Sequence, residues 1–119
     1  MRVLIVDDSK AMRMIVLRTL RQSGLAFDDV REAADGAEGL SAVADFDPQL
    51  VLSDWNMPNM TGIEFLRALR ASGDDRLFGF VTSESNPAMR EDAIAAGAAF
   101  LLAKPFDAER FAEVVGSVV

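Results

Sequence analysis

Four short, nearly continuous apolar runs constrain what this chain can become more than any other feature: RVLIV (2–6), LVLS (50–53), LFGFV (77–81) and AFLLA (99–103). A strand with one face in water alternates apolar and polar residues, so unbroken runs of this length belong to strands covered on both faces. DVREA (29–33) is a fifth candidate, recognised by its place between two helical segments. Helical patterns fill the intervals, over 10–23, 36–45, 62–71, 87–96 and 108–117. The start signals agree with this division. Asp35 with Glu38 and Thr61 with Glu64 match capping boxes, and Asn86 before Pro87 matches an N-cap followed by proline at the first helical position. Gly24, Gly73 and Gly97 fall where the first, third and fourth helices should stop. The alternation predicts a single α/β domain over residues 1–119, a (βα)5 unit with a five-stranded parallel sheet and no separate output domain.

Composition narrows the chemistry. The chain contains no cysteine and no histidine, which removes nitrogen and sulfur ligands for zinc and any imidazole general base. A net charge of −7 repels a phosphate backbone, so no nucleic-acid partner is expected. No apolar run approaches a bilayer span, and the first apolar run meets Asp7 and Asp8 too early to serve as a secretory signal. A cytoplasmic location without membrane contact is the expectation.

In open parallel sheets, ligands bind in the crevice beyond the carboxyl ends of the strands. Those ends carry Asp7 and Asp8 after the first strand, Asp54 after the third, Thr82 and Ser83 after the fourth, and Lys104 before Pro105 after the fifth. Each has a plainer reading: an aspartate after a strand serves as a turn former or helix cap, and a lysine before proline sits in solvent at an ordinary boundary. Asp35 and Gly36 end the second strand in the same manner, and there capping is a sufficient account. The coincidence at one rim favours chemistry. Three aspartates brought together repel one another, and one resists ionising unless a cation neutralises the cluster.

A hard divalent cation with oxygen ligands meets that need, and carboxylates with carbonyls and water suit magnesium. Magnesium in turn invites phosphate. Phosphoryl transfer asks for positioning and positive charge around three oxygens, which the metal and Lys104 can supply with a hydrogen bond from Thr82. A carboxylate can act as the nucleophile, and Asp54, flanked by SDWNMP at the central strand, is the candidate.

VDDS (6–9), SDWNMPNMTG (53–62), VTSES (81–85) and AKPF (103–106), in this order and spacing, resemble the receiver domain of two-component response regulators, and the resemblance covers the whole chain. The SDWNMPNM block together with EAADG (32–36) is closest to the chemotaxis members of that family. The resemblance implies a doubly wound, flavodoxin-like sheet with strand order 2-1-3-4-5. It implies that Asp54 is the phosphoacceptor, that Asp8 and Asp54 bind Mg²⁺ directly, and that Asp7 acts through a coordinated water and Asn56 through its backbone carbonyl. Thr82 and Lys104 would contact phosphoryl oxygens, and the bond from Lys104 to Pro105 would be cis. Asn56 and Glu84 occupy the positions that tune dephosphorylation in the family, and they match the chemotaxis type, implying a short-lived phosphoryl state.

Two residues depart from the family pattern. Thr61 stands where aspartate is common, and threonine caps a helix nearly as well. Leu101 stands at the switch position, where the family places Tyr or Phe three residues before the lysine; the nearest aromatic, Phe100, is one place earlier and should point to the opposite face. Leucine offers bulk without a ring or hydroxyl to expose, so it is expected to add packing on the output face. The function implied is phosphorylation of Asp54 by a sensor histidine kinase, with the face built from helix 4, strand 5 and helix 5 changing its affinity for a downstream protein. On this reading the chain is not an enzyme acting on other molecules, since it catalyses only its own phosphorylation and dephosphorylation. A relay or phosphate sink is the alternative. An aspartyl-phosphate phosphohydrolase is disfavoured because VDDS offers adjacent acids rather than the DxD of haloacid dehalogenase-like phosphatases. A flavodoxin-like FMN carrier is disfavoured because acids follow strand 1 where a phosphate needs backbone N–H groups.

Overall fold

Five parallel strands alternate with five helices: β1 (Arg2–Val6), α1 (Lys10–Gln22), β2 (Asp29–Ala33), α2 (Gly36–Phe46), β3 (Leu50–Ser53), α3 (Gly62–Ala71), β4 (Leu77–Thr82), α4 (Pro87–Ala95), β5 (Phe100–Ala103) and α5 (Ala108–Gly116). The computed structural model describes residues 1–119. The sheet order is β2-β1-β3-β4-β5, so the chain reverses its direction of travel between β1 and β3. That reversal opens a crevice at the carboxyl ends of these two strands.

The unbroken apolar runs arise because each strand feeds two cores. Leu4, Val6, Val51, Phe78, Phe80 and Leu101 pack with residues of α2, α3 and α4. Val3, Ile5, Leu50, Leu52, Val81, Phe100 and Leu102 pack with residues of α1 and α5 on the other face. The period of two is therefore present, with apolar residues at both phases. β2 lies at the sheet edge, and of its five residues only Ala33 is buried, which is why its sequence looks unlike the others. Arg31 on that strand places its guanidinium over the Phe46 ring, 4.9 Å from the centroid.

The elements fall within one residue of their expected bounds. β4 runs one residue further, to Thr82, β5 starts at Phe100 rather than Ala99, and the helices end within a residue of expectation. Thr61 and Glu64 form the full reciprocal capping box. At α2 only half of the expected box forms: the Asp35 carboxylate accepts from the Glu38 N–H at 2.9 Å. Its other oxygen accepts instead from the Asn59 amide at 2.9 Å, so Asp35 does more than cap. Asn86 and Pro87 open α4 as expected.

The rim opposite the crevice is held by arginines. Arg70 donates to the carbonyls of Asp74, Arg76 and Gly97, and Arg76 donates to the Pro48 carbonyl while pairing with Asp74. The bonds to Gly97 and Pro48 tie the end of α3 and the α3–β4 connection to the connections that lead into β5 and β3. Gly79 in β4 admits the Phe100 ring, since a Cβ there would lie 2.0 Å from a ring carbon. The aromatic bulk of β5 is thus seated over β4, on the α1 and α5 side of the sheet.

Candidate functional site

The ladder bonds of the sheet continue one residue past three strands and fix the backbone of three candidate residues. Asp7 N donates to Ala33 O at 3.1 Å, Asp54 N to Val6 O at 2.8 Å, and Lys104 N to Thr82 O at 2.8 Å. The side chains therefore leave a common rigid edge. Asp7, Asp8 and Asp54 each present a carboxylate oxygen within 4.8 Å of the others; Asp7 is buried, Asp54 half-buried and Asp8 exposed.

Local chemistry explains the positions. The Asp7 carboxylate accepts from the Ser9 N–H at 2.9 Å, while Ser9 caps α1 by accepting from the Met12 N–H. The other Asp7 oxygen lies 3.2 Å from the Lys104 ammonium, in an ion pair that is 5% and 12% exposed at its two side chains. The Asp54 carboxylate accepts from the Trp55 N–H at 2.8 Å, and the Asp54 carbonyl accepts from the Ser53 hydroxyl. Gly62 closes the loop from below: its N–H donates to Trp55 O at 2.8 Å, and a Cβ on it would stand 2.1 Å from the Asp54 carbonyl oxygen. Only glycine allows α3 to start this close to the site. Met57 anchors the same loop in the core, leaving Asn56 exposed above it.

Burial pushes the Asp54 carboxyl above the ordinary carboxylate range. The charge of Lys104 pulls it back, the charge of Asp7 adds to the rise, and the Trp55 N–H and Thr82 hydroxyl favour the ionised form less strongly. Three acids against one lysine leave the cluster negative. The donor set of Asp7, Asp8 and Asp54 contains only oxygen, and its spacing fits a small hard cation such as Mg²⁺.

The structure brings Asp7, Asp8, Asp54, Thr82 and Lys104 together at one edge of the sheet. Thr82 is fully buried at the end of β4 and accepts from the Glu84 N–H, while Glu84 itself is exposed. The bond from Lys104 to Pro105 is cis, as the resemblance implies. Leu101 is only 4% exposed and lies in the core with Ala93 and Ala98, so it packs beneath the surface rather than on it. Phe100 points to the opposite core, as strand alternation requires. Trp55 packs on Phe80, with ring centroids 4.8 Å apart, at the edge of the site.

Two contributors were not anticipated from the sequence. Arg13 donates to the Asp7 carbonyl at 2.6 Å and to Glu32 at 3.0 Å. A signal for it exists: a cation near the start of a helix opposes the helix dipole and requires another reason to be there. Asn59, with φ of 66°, carried the signal of a residue tolerant of the left-handed region within the MPNM loop.

The model of the response regulator receiver domain matches residues 3–116. A probable chemotaxis protein CheY of Rhizobium etli is 35% identical over 119 residues, covering 98% of this chain and 91% of the relative. The chemotaxis protein CheY of Pseudomonas aeruginosa is 38% identical over 122 aligned positions, covering 99% and 95%. The crystal structure of chemotaxis protein CheY4 of Vibrio cholerae, obtained at low pH, superposes with a TM-score of 0.87 at 35% identity, covering 99% of this chain and 98% of that one. With an acidic crevice, a lysine and a threonine at the carboxyl ends of its strands, the chain belongs to the response regulator receiver domain family.

Proposed function

We propose that this receiver takes a phosphoryl group from a sensor histidine kinase onto Asp54, and that phosphorylation changes its affinity for a partner protein in chemotaxis or motility. One observation carries the reading: the half-buried Asp54 carboxylate shares a crevice with two further acids, one of which is paired with Lys104 at 3.2 Å. When bound, Mg²⁺ supplies the positive charge that lets a phosphate approach three carboxylates.

The chain's own residues then have separate tasks. An Asp54 carboxylate oxygen attacks phosphorus as the bond to the donor nitrogen breaks, and the electron pair leaves with that nitrogen. Lys104 exchanges the Asp7 carboxylate for a phosphoryl oxygen, and the Thr82 hydroxyl donates to another. Asn56 and Glu84, both exposed at the mouth, flank the path by which water hydrolyses the acyl phosphate.

The output face fits a switch because α4 is lightly anchored. Ala93 is its one buried residue, and Ile94 is 53% exposed. An element with so little core contact can shift at small cost when Thr82 and Lys104 are drawn toward a phosphoryl group. The face of α4, β5 and α5 is where the downstream protein would bind.

Incubation with acetyl phosphate or a kinase should label the protein only with Mg²⁺ present. Asp54→Asn should abolish stable labelling, and turnover of a generic phosphate ester should be absent. Full labelling of the Asp54→Asn protein at another residue would sink the assignment.

A further inference from the structure

The geometry points to the carboxyl end of edge strand β2 as a positioning post for the metal site: Glu32, through Arg13, and Asp35, through Asn59, hold the two loops that carry the acidic ligands. This inference rests on the Mg²⁺-dependent reading above. It concerns residues that do not touch the metal or the phosphoryl group.

Every polar atom of Asp7 is engaged. Its N–H meets Ala33 O, its carboxylate meets the Ser9 N–H and the Lys104 ammonium, and its carbonyl meets the Arg13 guanidinium at 2.6 Å. Because the peptide unit is planar, fixing that carbonyl also fixes the direction in which Asp8 leaves the strand. Asp8 is exposed, and this peptide plane is what aims it at the crevice. Arg13 is held in turn by Glu32 at 3.0 Å, with side chains 15% and 41% exposed.

The second contact works on the loop after β3. Asp35 is 8% exposed and fixed by capping α2, and it accepts from the Asn59 amide at 2.9 Å. Asn59 lies midway between Asn56 and the start of α3 at Gly62. β2 contributes little to either core, yet its end braces both ligand loops. Outer contacts that orient metal ligands are worth about 10- to 100-fold in metal affinity.

Charge alone predicts the opposite sign. A guanidinium close to a cation site repels the cation, so removing it by Coulomb's law should tighten Mg²⁺ binding. A positioning role predicts weakening. Mg²⁺ binding to the full chain is measured by calorimetry for the wild type, Arg13→Met, Arg13→Lys and Asn59→Gly, with thermal unfolding in the absence of Mg²⁺ as a check on folding. Asn59→Gly keeps the left-handed backbone accessible while removing the amide. Arg13→Met and Asn59→Gly should each weaken Mg²⁺ about 10-fold, at the low end of that range. Arg13→Lys keeps the charge but not the two-pronged contact, so it should weaken binding as well. Unchanged or tighter binding in both Arg13 variants, with the wild type binding normally, would overturn the brace alone. A lowered melting temperature with unchanged affinity would show a merely structural role and also overturn it. Absence of Mg²⁺ binding in the wild type would overturn the parent reading, and this inference with it.

Discussion

Asp54→Asn should make the metal-free protein more stable at neutral pH, although it removes the residue on which the proposed function depends. The carboxylate oxygens of the cluster lie within 4.8 Å of one another. Two unit charges at that distance repel by about 3.5 kcal/mol at an effective dielectric of about 20, and by about 0.9 kcal/mol in bulk water. Attraction to Lys104 is lost as well and outweighs the relief of repulsion from Asp7, so the gain comes chiefly from no longer burying a charge. Asn keeps an oxygen that can accept from the Trp55 N–H, so that contact survives. A net gain of about 1 kcal/mol is expected, which for a chain of this length is about 4 °C in melting temperature. The pH dependence follows from the direction of the shift. The folded-state pKa of Asp54 is raised above its unfolded value, so between the two the folded state holds the extra proton and stability falls as pH rises. The advantage of the variant is therefore full above the folded pKa. It shrinks as pH falls through the folded pKa and is gone below the ordinary value of 3.8. Thermal unfolding of both proteins in chelator across this range is the assay. Adding Mg²⁺ at ten times its dissociation constant should raise the wild type by about 1.4 kcal/mol and reverse the ranking. Loss of stability in the variant at neutral pH, or a gain that ignores pH, would refute the reasoning.

Three further outcomes are expected. Lys104→Ala should tighten Mg²⁺ by about tenfold, since Asp7 loses a buried competitor, while uncoupling phosphorylation from partner binding; elimination of metal binding would contradict the assignment. Leu101→Ala should cost about 2–4 kcal/mol in urea unfolding, as for other buried leucines, yet leave the phosphorylation-dependent difference in partner affinity in place; loss of that difference would make Leu101 a gate. Trp55 fluorescence should change saturably on adding Mg²⁺ and again on adding beryllofluoride, with Asp8→Ala abolishing the first response, and a silent indole under calorimetrically verified binding would refute its placement beside the site.

How far the sequence speaks depends on how local the signal is. Buried runs and caps are local, so β1, β3, β4 and β5 and their helices could be read to within a residue. β2 was recognisable only by position because an edge strand needs no apolar face of its own, and Asp29, Arg31 and Glu32 meet solvent. Asp35 looked complete as a cap. Its second bond, to Asn59, spans 24 residues, and no spacing rule in one sequence reports such a pairing. The same holds for Arg13 with Glu32, and for Lys104 on Asp7 across 97 residues. Leu101 shows the limit from another side. Its direction followed from alternation, but its depth depends on the helix that covers it, and α4 contributes one fully buried residue, Ala93, with Met89 partly buried beside it.

An aspartate at the end of a buried strand gains rigidity from the sheet and pays for it in charge. The ladder bond from Asp54 to Val6 fixes the backbone, so the carboxylate cannot swing out to full hydration. Asp7 is held still more firmly, and its charge is answered by Lys104. Asp54 is thus the acid whose charge is least compensated, and burial outweighs every group that would stabilise it. A carboxylate in that condition gains more than a solvated one from a nearby cation, because the surrounding dielectric is low and there is less water to give up. The arginine-held rim at the opposite end takes no part in this: Arg70 and Arg76 join loop to loop through carbonyls and leave the sheet stiff. With one end of the sheet fixed and α4 lightly held, a change in charge at Asp54 has one compliant element on which to act. Under the proposed function, the burial that makes the charge of Asp54 costly would also let its modification move α4.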